Sequence, residues 1–336
     1  MEALGIPEPT GTTSGRGVVL EVERLNKAYR GRRGRPPTPA NTELTLRVHA
    51  GEIVALLGPN GAGKSTFLKQ IAGQLLPDSG TIRVGGVDMI AHPRRAKEHV
   101  SVTPQECQPI LSLTASEQVR TFGRIKGWNR AQADLGVPRV LEAVGLTGEA
   151  HKVVRDLSGG YKRRLLIAIA MAGSPTRLML LDEPTTGLDP EARRAVWKVV
   201  HRLRAEGLGI LLTTHYIDEA EYLADRVVVM HEGRFALSGT VEQIRARLPF
   251  RGRIDVRDVD RLSPGARAQV DDLARRGRVA FRSEGFVRIE LAEPFSPETM
   301  SSLAALHRMG AAATLAPVSL EDAYLSVVGS LAENGR

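Results

Sequence analysis

Eight residues, "GPNGAGKS" at 58–65, follow the spacing G-x-x-x-x-G-K-[ST], and that spacing suits phosphate. Gly58, Gly61 and Gly63 let successive backbone N–H groups turn inward around phosphate oxygens. Lys64 adds a mobile cation, and Ser65 brings a hydroxyl able to ligate Mg²⁺. A helix starting here would point its positive end at the same anion. The apolar run before the loop and the helical pattern after it separate this motif from a chance glycine loop.

Three further strand-like runs end in polar residues suited to phosphate hydrolysis. "LMLLDEP" (178–184) delivers Asp182, fit to orient Mg²⁺, and Glu183, fit to act as general base toward water. "GILLTTH" (209–215) ends in His215, able to contact a γ-phosphate and hold the attacking water. "HVSVTPQ" (99–105) ends in Gln105, suited to Mg²⁺ and water contact. Tyr29 closes the first strand-like segment and can stack on a base, worth about 1–3 kcal/mol in base–aromatic pairs. A second anion-binding helix start lies in "LSGGYKRRL" (157–165), with Ser158 as N-cap and Gly159 and Gly160 allowing close backbone approach.

These residues need a scaffold. The alternating segment 18–29 and the shorter "ELTLRV" (43–48) predict strands, with the basic, Pro-rich "RGRRGRPPTPAN" (30–41) as the loop between them. From Ile53 to about residue 245, apolar strands alternate with amphipathic helices, which predicts an α/β domain with a largely parallel sheet. Residues 106–172 lack buried-strand runs and predict a helical insertion, with helices over 114–127 and 139–146. Beyond 248 the order changes. Strand 253–258, helix 264–276, strands 278–283 and 286–292, helix 297–309, strand 311–316 and helix 319–328 predict a small α+β, ferredoxin-like domain. Ile254, Val256, Val287, Ile289 and Leu291 would form its separate core. Residues 1–17, rich in Gly, Thr, Ser and Pro, are expected to be disordered.

Bulk composition sets limits. A chain of 336 residues with 42% apolar content has room for about two domains. Its longest apolar runs, such as "LLIAIAMAG" (165–173), fall well short of the roughly 20 residues that span a bilayer. No charged-then-apolar export pattern opens the sequence, and the plain expectation is a cytoplasmic protein. A single cysteine, Cys107, excludes an internal disulfide and a cysteine-rich zinc site. The net charge of +8 admits nucleic acid or an anionic lipid surface as partner, but the charge is spread, as on a solvated face.

From Val18 to Leu248 the sequence resembles the nucleotide-binding domains of ATP-binding cassette (ABC) proteins. Tyr29, "GPNGAGKST", Gln105, "LSGGYKRRL", "LMLLDEP", "TTGLDP" (185–190) and His215 stand in the family's order. The resemblance implies a P-loop NTPase fold with a RecA-like core, an antiparallel β subdomain and a helical insertion. It implies ATP and Mg²⁺, with ATP held by Tyr29, Gly58, Pro59, Asn60, Gly61, Ala62, Gly63, Lys64, Ser65 and Thr66. Ser65, Gln105 and Asp182 would hold the metal, and Glu183 and His215 would serve catalysis. It further implies a head-to-tail homodimer in which Ser158, Gly159 and Gly160 bind the partner's ATP and Asp189 links the two sites.

The subtype resembled is the ATPase of ABC-2 type exporters, on "LTASEQVRTFGRIKG", the long stretch 156–190 and "PVSLEDAYLSVVG" (317–329). That implies a separate membrane permease, no nucleic-acid partner and a peripheral place on the inner face of the cell membrane. Residues 249–336, with their own apolar core and no cluster of Cys, His or carboxylates, are expected to be a dimerisation or regulatory domain outside the ATP site. The basic loop Arg30–Arg35, which holds no aromatic residue for base stacking, is expected either to face membrane or permease or to be a solvated loop with no partner. The competing reading is a soluble ABC ATPase acting on nucleic acid or ribosomes. One cassette rather than two, and no long coiled-coil insertion, count against it. The segment between Tyr29 and the phosphate loop exceeds the family pattern by about half a dozen residues, which bears on Tyr29 more than on the phosphate contacts.

Overall fold

Alternating apolar and polar residues open the described chain and fold as half-buried strands. The computed structural model describes residues 17–30, 36–173 and 175–326. In it β1 (Val18–Tyr29) pairs antiparallel with β2 (Thr38–His49). The strand β2 starts inside the segment expected to be loop, pairing Thr38 with Tyr29 and Pro39 with Ala28. After β3 (Ile53–Leu57) and helix α1 (Lys64–Ile71), the chain returns as β4 (Ser79–Val84) and β5 (Val87–Asp88). The resulting sheet has the order β2-β1-β4-β5, so β2 is an outer strand and can carry a proline that lacks a ladder N–H. Most of the loop Arg30–Arg35, and the N-terminal tail, lie outside the described residues.

Helix α2 (Pro93–Lys97) leads into β6 (Val100–Thr103), and three helices of the insertion follow. Helix α3 (Ala115–Ile125) starts from a reciprocal capping box between Thr114 and Glu117. Helix α4 (Arg130–Ala143) begins at 130, not at 139 as expected, because Asn129 and Gln132 form a second capping box. Pro138, just before the expected start, lies inside this helix. Helix α5 (Gly159–Met171) carries the second glycine-rich start.

The chain then alternates strand and helix through β7 (Leu178–Asp182), α6 (Pro190–Ala205), β8 (Gly209–Thr214), α7 (Ile217–Leu223), β9 (Arg226–His231) and β10 (Arg234–Gly239). These strands join β3 and β6 in a six-stranded sheet of order β10-β9-β3-β8-β7-β6, parallel except for β10. Strand β3 is buried throughout, β8 likewise, and β7 all but its last residue, as expected for apolar runs covered on both faces. Phe67, Leu68 and Ile71 of α1 share one core cluster with apolar residues from both sheets.

The register decides where the chemistry can sit. Leu57 of β3 pairs with Thr214 of β8, Asp182 of β7 with Thr213, and Thr103 of β6 with Leu181. Four parallel strands therefore end on one line, and the residues after each end share the carboxyl edge where open α/β sheets bind ligands.

A second compact unit begins at Val241, so helix α8 (Val241–Ala246) belongs to it. Its β11 (Gly252–Arg257), α9 (Pro264–Arg276), β12 (Arg278–Ser283), β13 (Phe286–Leu291), α10 (Pro297–Arg308) and β14 (Ala312–Pro317) form an antiparallel sheet of order β12-β13-β11-β14. This is the ferredoxin-like arrangement. Ile254, Val256, Val287, Ile289 and Leu291 pack with Val270, Leu273, Leu303 and Leu306 from its two helices. Residues 320–326 are helical, and the rest of the expected helix 319–328 is Ser319, not helical, and residues outside those described.

A candidate nucleotide site at the carboxyl edge of the parallel sheet

Two positions of the loop after β3 leave no room for a side chain. A Cβ on Gly58 would lie 2.4 Å from the carbonyl oxygen of Met230, and one on Gly63 would lie 2.2 Å from that of Ala40. Gly63 also has φ 104°, a backbone region that side chains disfavour. The Ala62 N–H closes a tight turn onto Pro59, while Asn60 and Gly61 stand at the exposed rim. Lys64 is 5% exposed, and its ammonium donates to the carbonyls of Gly58 (2.8 Å) and Pro59 (3.0 Å). Burial lowers its pKa, and the charges of Glu183 and Asp182 act in the opposite sense. Tyr29, half exposed at the end of β1, reaches Thr66 with its hydroxyl at 3.3 Å.

Asp182 faces the first turn of α1. Its Oδ1 accepts from Ser65 Oγ at 3.4 Å and from Thr213 Oγ1 at 2.5 Å. Glu183, 7% exposed, is held on both carboxylate oxygens. Oε2 accepts from Gln105 Nε2 (2.9 Å) and Thr186 Oγ1 (3.0 Å), and Oε1 lies 3.3 Å from His215 Nδ1. The Glu183 backbone takes φ 46°, uncommon for a residue with a side chain, and its N–H is fixed by both the carbonyl and the hydroxyl of Thr213. The structure thus brings Lys64, Ser65, Gln105, Asp182, Glu183 and His215 to one edge, from four neighbouring strands.

These oxygen donors fit Mg²⁺, which prefers hard ligands and takes most of its shell from water and phosphate. Among the described residues no group of three or more His, Cys, Asp or Glu could hold a metal unaided. An ion at Ser65 and Asp182 would therefore depend on a nucleotide for further ligands.

The second helix start is set apart from this cluster. Ser158 and Gly159 are exposed, and among the described residues no hydrogen bond or ion pair joins them to residues 58–66. Ser158 sits at the N-cap of α5, yet its side chain makes no capping hydrogen bond. Gly160 has a packing duty, since a Cβ there would lie 2.7 Å from that of Ala192 on α6. The Asp189 carboxylate accepts from Ala192 N (2.8 Å) and caps α6.

Three contributors escaped sequence reading. Thr213 was legible in principle, as a polar residue inside the buried run "GILLTT". Thr186 follows Glu183 by three residues, a spacing that invites a local hydrogen bond. Arg163 gave no signal, because it acts on backbone carbonyls distant in sequence.

Comparison with known proteins agrees with this geometry. A family model described as "ABC transporter" matches residues 42–186. The Nod factor export ATP-binding protein I of Ralstonia nicotianae is 35% identical over 329 residues, covering 96% of this chain and 97% of that protein. The chain belongs to the ABC transporter ATP-binding family. The daunorubicin/doxorubicin resistance ATP-binding protein DrrA of Streptomyces peucetius is 40% identical over 229 residues, 68% of this chain and 67% of that protein. A solved ATP-binding subunit of an ABC transporter superposes with a TM-score of 0.58 at 31% identity, covering 68% of this chain and 92% of that one. As an ABC cassette, the first unit binds ATP and hydrolyses it. The matched stretch takes in both glycine-rich helix starts, the phosphate loop at 58–66 and the signature-like run at 157–165.

Proposed function

We propose that this chain is the ATP-hydrolysing subunit of an exporter, working with Mg²⁺ as a head-to-tail homodimer that drives a separate ABC-2 type permease. The observation that carries the reading is the gathering of Gln105, Thr186 and His215 on the Glu183 carboxylate, beside Asp182 and Lys64. In hydrolysis Glu183 accepts a proton from the attacking water. The water oxygen bonds to the γ-phosphorus, and the bond to the bridging oxygen of ADP breaks. Gln105 and His215 orient carboxylate and water, and Lys64 neutralises phosphate charge. Mg²⁺, held through Ser65 and Asp182, would neutralise charge on the phosphate oxygens.

Tyr29 presents its ring for the adenine. Ser158 and its hydroxyl, not used in capping, with Gly159 and Gly160, would serve the partner's γ-phosphate, and Asp189 would link the two sites. The exporter role follows the relatives' names, which concern Nod factor export and drug resistance, and these favour transport over a nucleic-acid role. Among the described residues no helix is long and apolar enough to cross a membrane, consistent with a separate permease and a peripheral place on the membrane's cytoplasmic face. The second unit is an accessory domain for self-association or regulation.

Mixing two broken chains tests the shared site. Lys64→Ala removes the phosphate loop's cation, and Ser158→Arg blocks the signature. Each homodimer carries two defective sites, whereas the mixed dimer keeps one intact. ATPase activity should recover in part on mixing, and no recovery, where wild type is active, would sink the shared-site reading.

A further inference from the structure

Arg163 lies on the signature helix α5, five residues after Ser158, yet it reaches back into its own chain's catalytic edge. Its guanidinium donates to three consecutive carbonyls: Nη2 to Asp182 (3.0 Å) and Glu183 (2.7 Å), Nε to Pro184 (2.7 Å). Through Nη1 it also reaches the carbonyls of Pro104 (3.3 Å) and Gln105 (3.4 Å). One planar, permanently charged fork therefore ties the turn carrying Glu183 to the loop carrying Gln105. No point-like cation could span these acceptors at once.

The turn needs such support. Glu183 occupies the left-handed region, where a residue with a side chain stores strain unless its surroundings over-determine it. The fully buried Glu219 also braces the same turn, accepting from Thr185 Oγ1 (2.7 Å) and from Trp197 Nε1 (3.0 Å). Among the described residues Arg163 makes no hydrogen bond or ion pair with Glu183's carboxylate or the phosphate loop, so its direct hold on the turn is through backbone. Its charge also acts on the Asp182 and Glu183 carboxylates.

We infer that Arg163 is a positioning residue for hydrolysis, acting on Glu183 and Gln105 of its own chain while the start of its helix serves the partner's ATP. This deepens the reading of a shared site and rests on it. Each signature helix then holds one site by its first turn and the other by its second.

The mixed dimer separates these roles. Its one intact site uses the phosphate loop and Glu183 of the Ser158→Arg chain and the signature of the Lys64→Ala chain. Arg163→Gln added to the Ser158→Arg chain should lower kcat about tenfold or more, with the KM for ATP little changed. Added to the Lys64→Ala chain, it should leave activity close to that of the parent mixture. Equal loss from both placements, as a folding defect would give, overturns the inference, and so does loss confined to the signature-donating chain or no loss in either. If the parent mixture recovers no activity, the shared-site reading fails instead, and Arg163→Gln in the wild-type chain decides alone: a kcat fall with KM and thermal midpoint unchanged keeps Arg163 as a positioning residue, and an unchanged kcat removes it.

Discussion

At the residue scale, Glu183 carries its carboxylate on a backbone with φ 46°, and three side chains converge on that carboxylate. Such convergence is what a general base needs: a fixed direction and little freedom to turn away from water. The phosphate loop imposes a similar demand in its glycines, and two of them should respond differently to one methyl group. Gly63→Ala faces both φ 104° and a carbonyl 2.2 Å from the new Cβ, whereas Gly61 has φ 83° and open space. Titration with a fluorescent ATP analogue should show binding abolished in Gly63→Ala but only weakened in Gly61→Ala, whose backbone strain is about 1–2 kcal/mol. Equal affinities would mean that the close approach of Ala40 does not shape the loop. Residue types at the site were largely legible because phosphate and Mg²⁺ chemistry restrict them to a few side chains at fixed spacing. Arg163 was not legible, since an arginine in a basic helix looks the same whether it meets water or five carbonyls.

At the scale of elements, a short helix in the second unit hangs on one carboxylate. Asp322 accepts from the N–H and hydroxyl of Ser319, at 2.8 and 2.7 Å, and pairs with Arg253 of β11. Burial alone would raise its pKa, but the Ser319 hydrogen bonds and Arg253 outweigh it and hold the carboxyl below its ordinary value. A lowered folded pKa contributes stability that is present above the ordinary value near 3.9 and lost as pH falls through the folded value. Asp322→Asn should therefore cost about 3–5 kcal/mol near neutral pH in denaturant unfolding of the full chain, followed by signals from the second unit. The gap to wild type should shrink below about pH 4, and a gap indifferent to pH would contradict the ionic role. Element boundaries were legible where local signals decide them, as in the strands and helices from 252 to 317, each within one residue of expectation. They were missed where tertiary context decides. Strand β2 extends through Pro39 because it lies at a sheet edge, and α4 runs through Pro138 from a capping box nine residues earlier.

At the scale of the molecule, one chain gathers the candidate catalytic residues on one edge and, elsewhere in the same unit, exposes a signature-like run whose serine hydroxyl does not cap its helix. In the proposed head-to-tail pair two copies would use both, making ATP the bridge between them and hydrolysis the event that releases it. The most direct test freezes that bridge. Glu183→Gln keeps an amide in place of the carboxylate but removes the base, so phosphate release should fall about 100-fold or more while ATP still binds. Light scattering on this variant should find a monomer without nucleotide, a dimer with MgATP, and no dimer once Ser158→Arg is added. Near-normal phosphate release, or a chain that stays monomeric with ATP bound, would contradict the account.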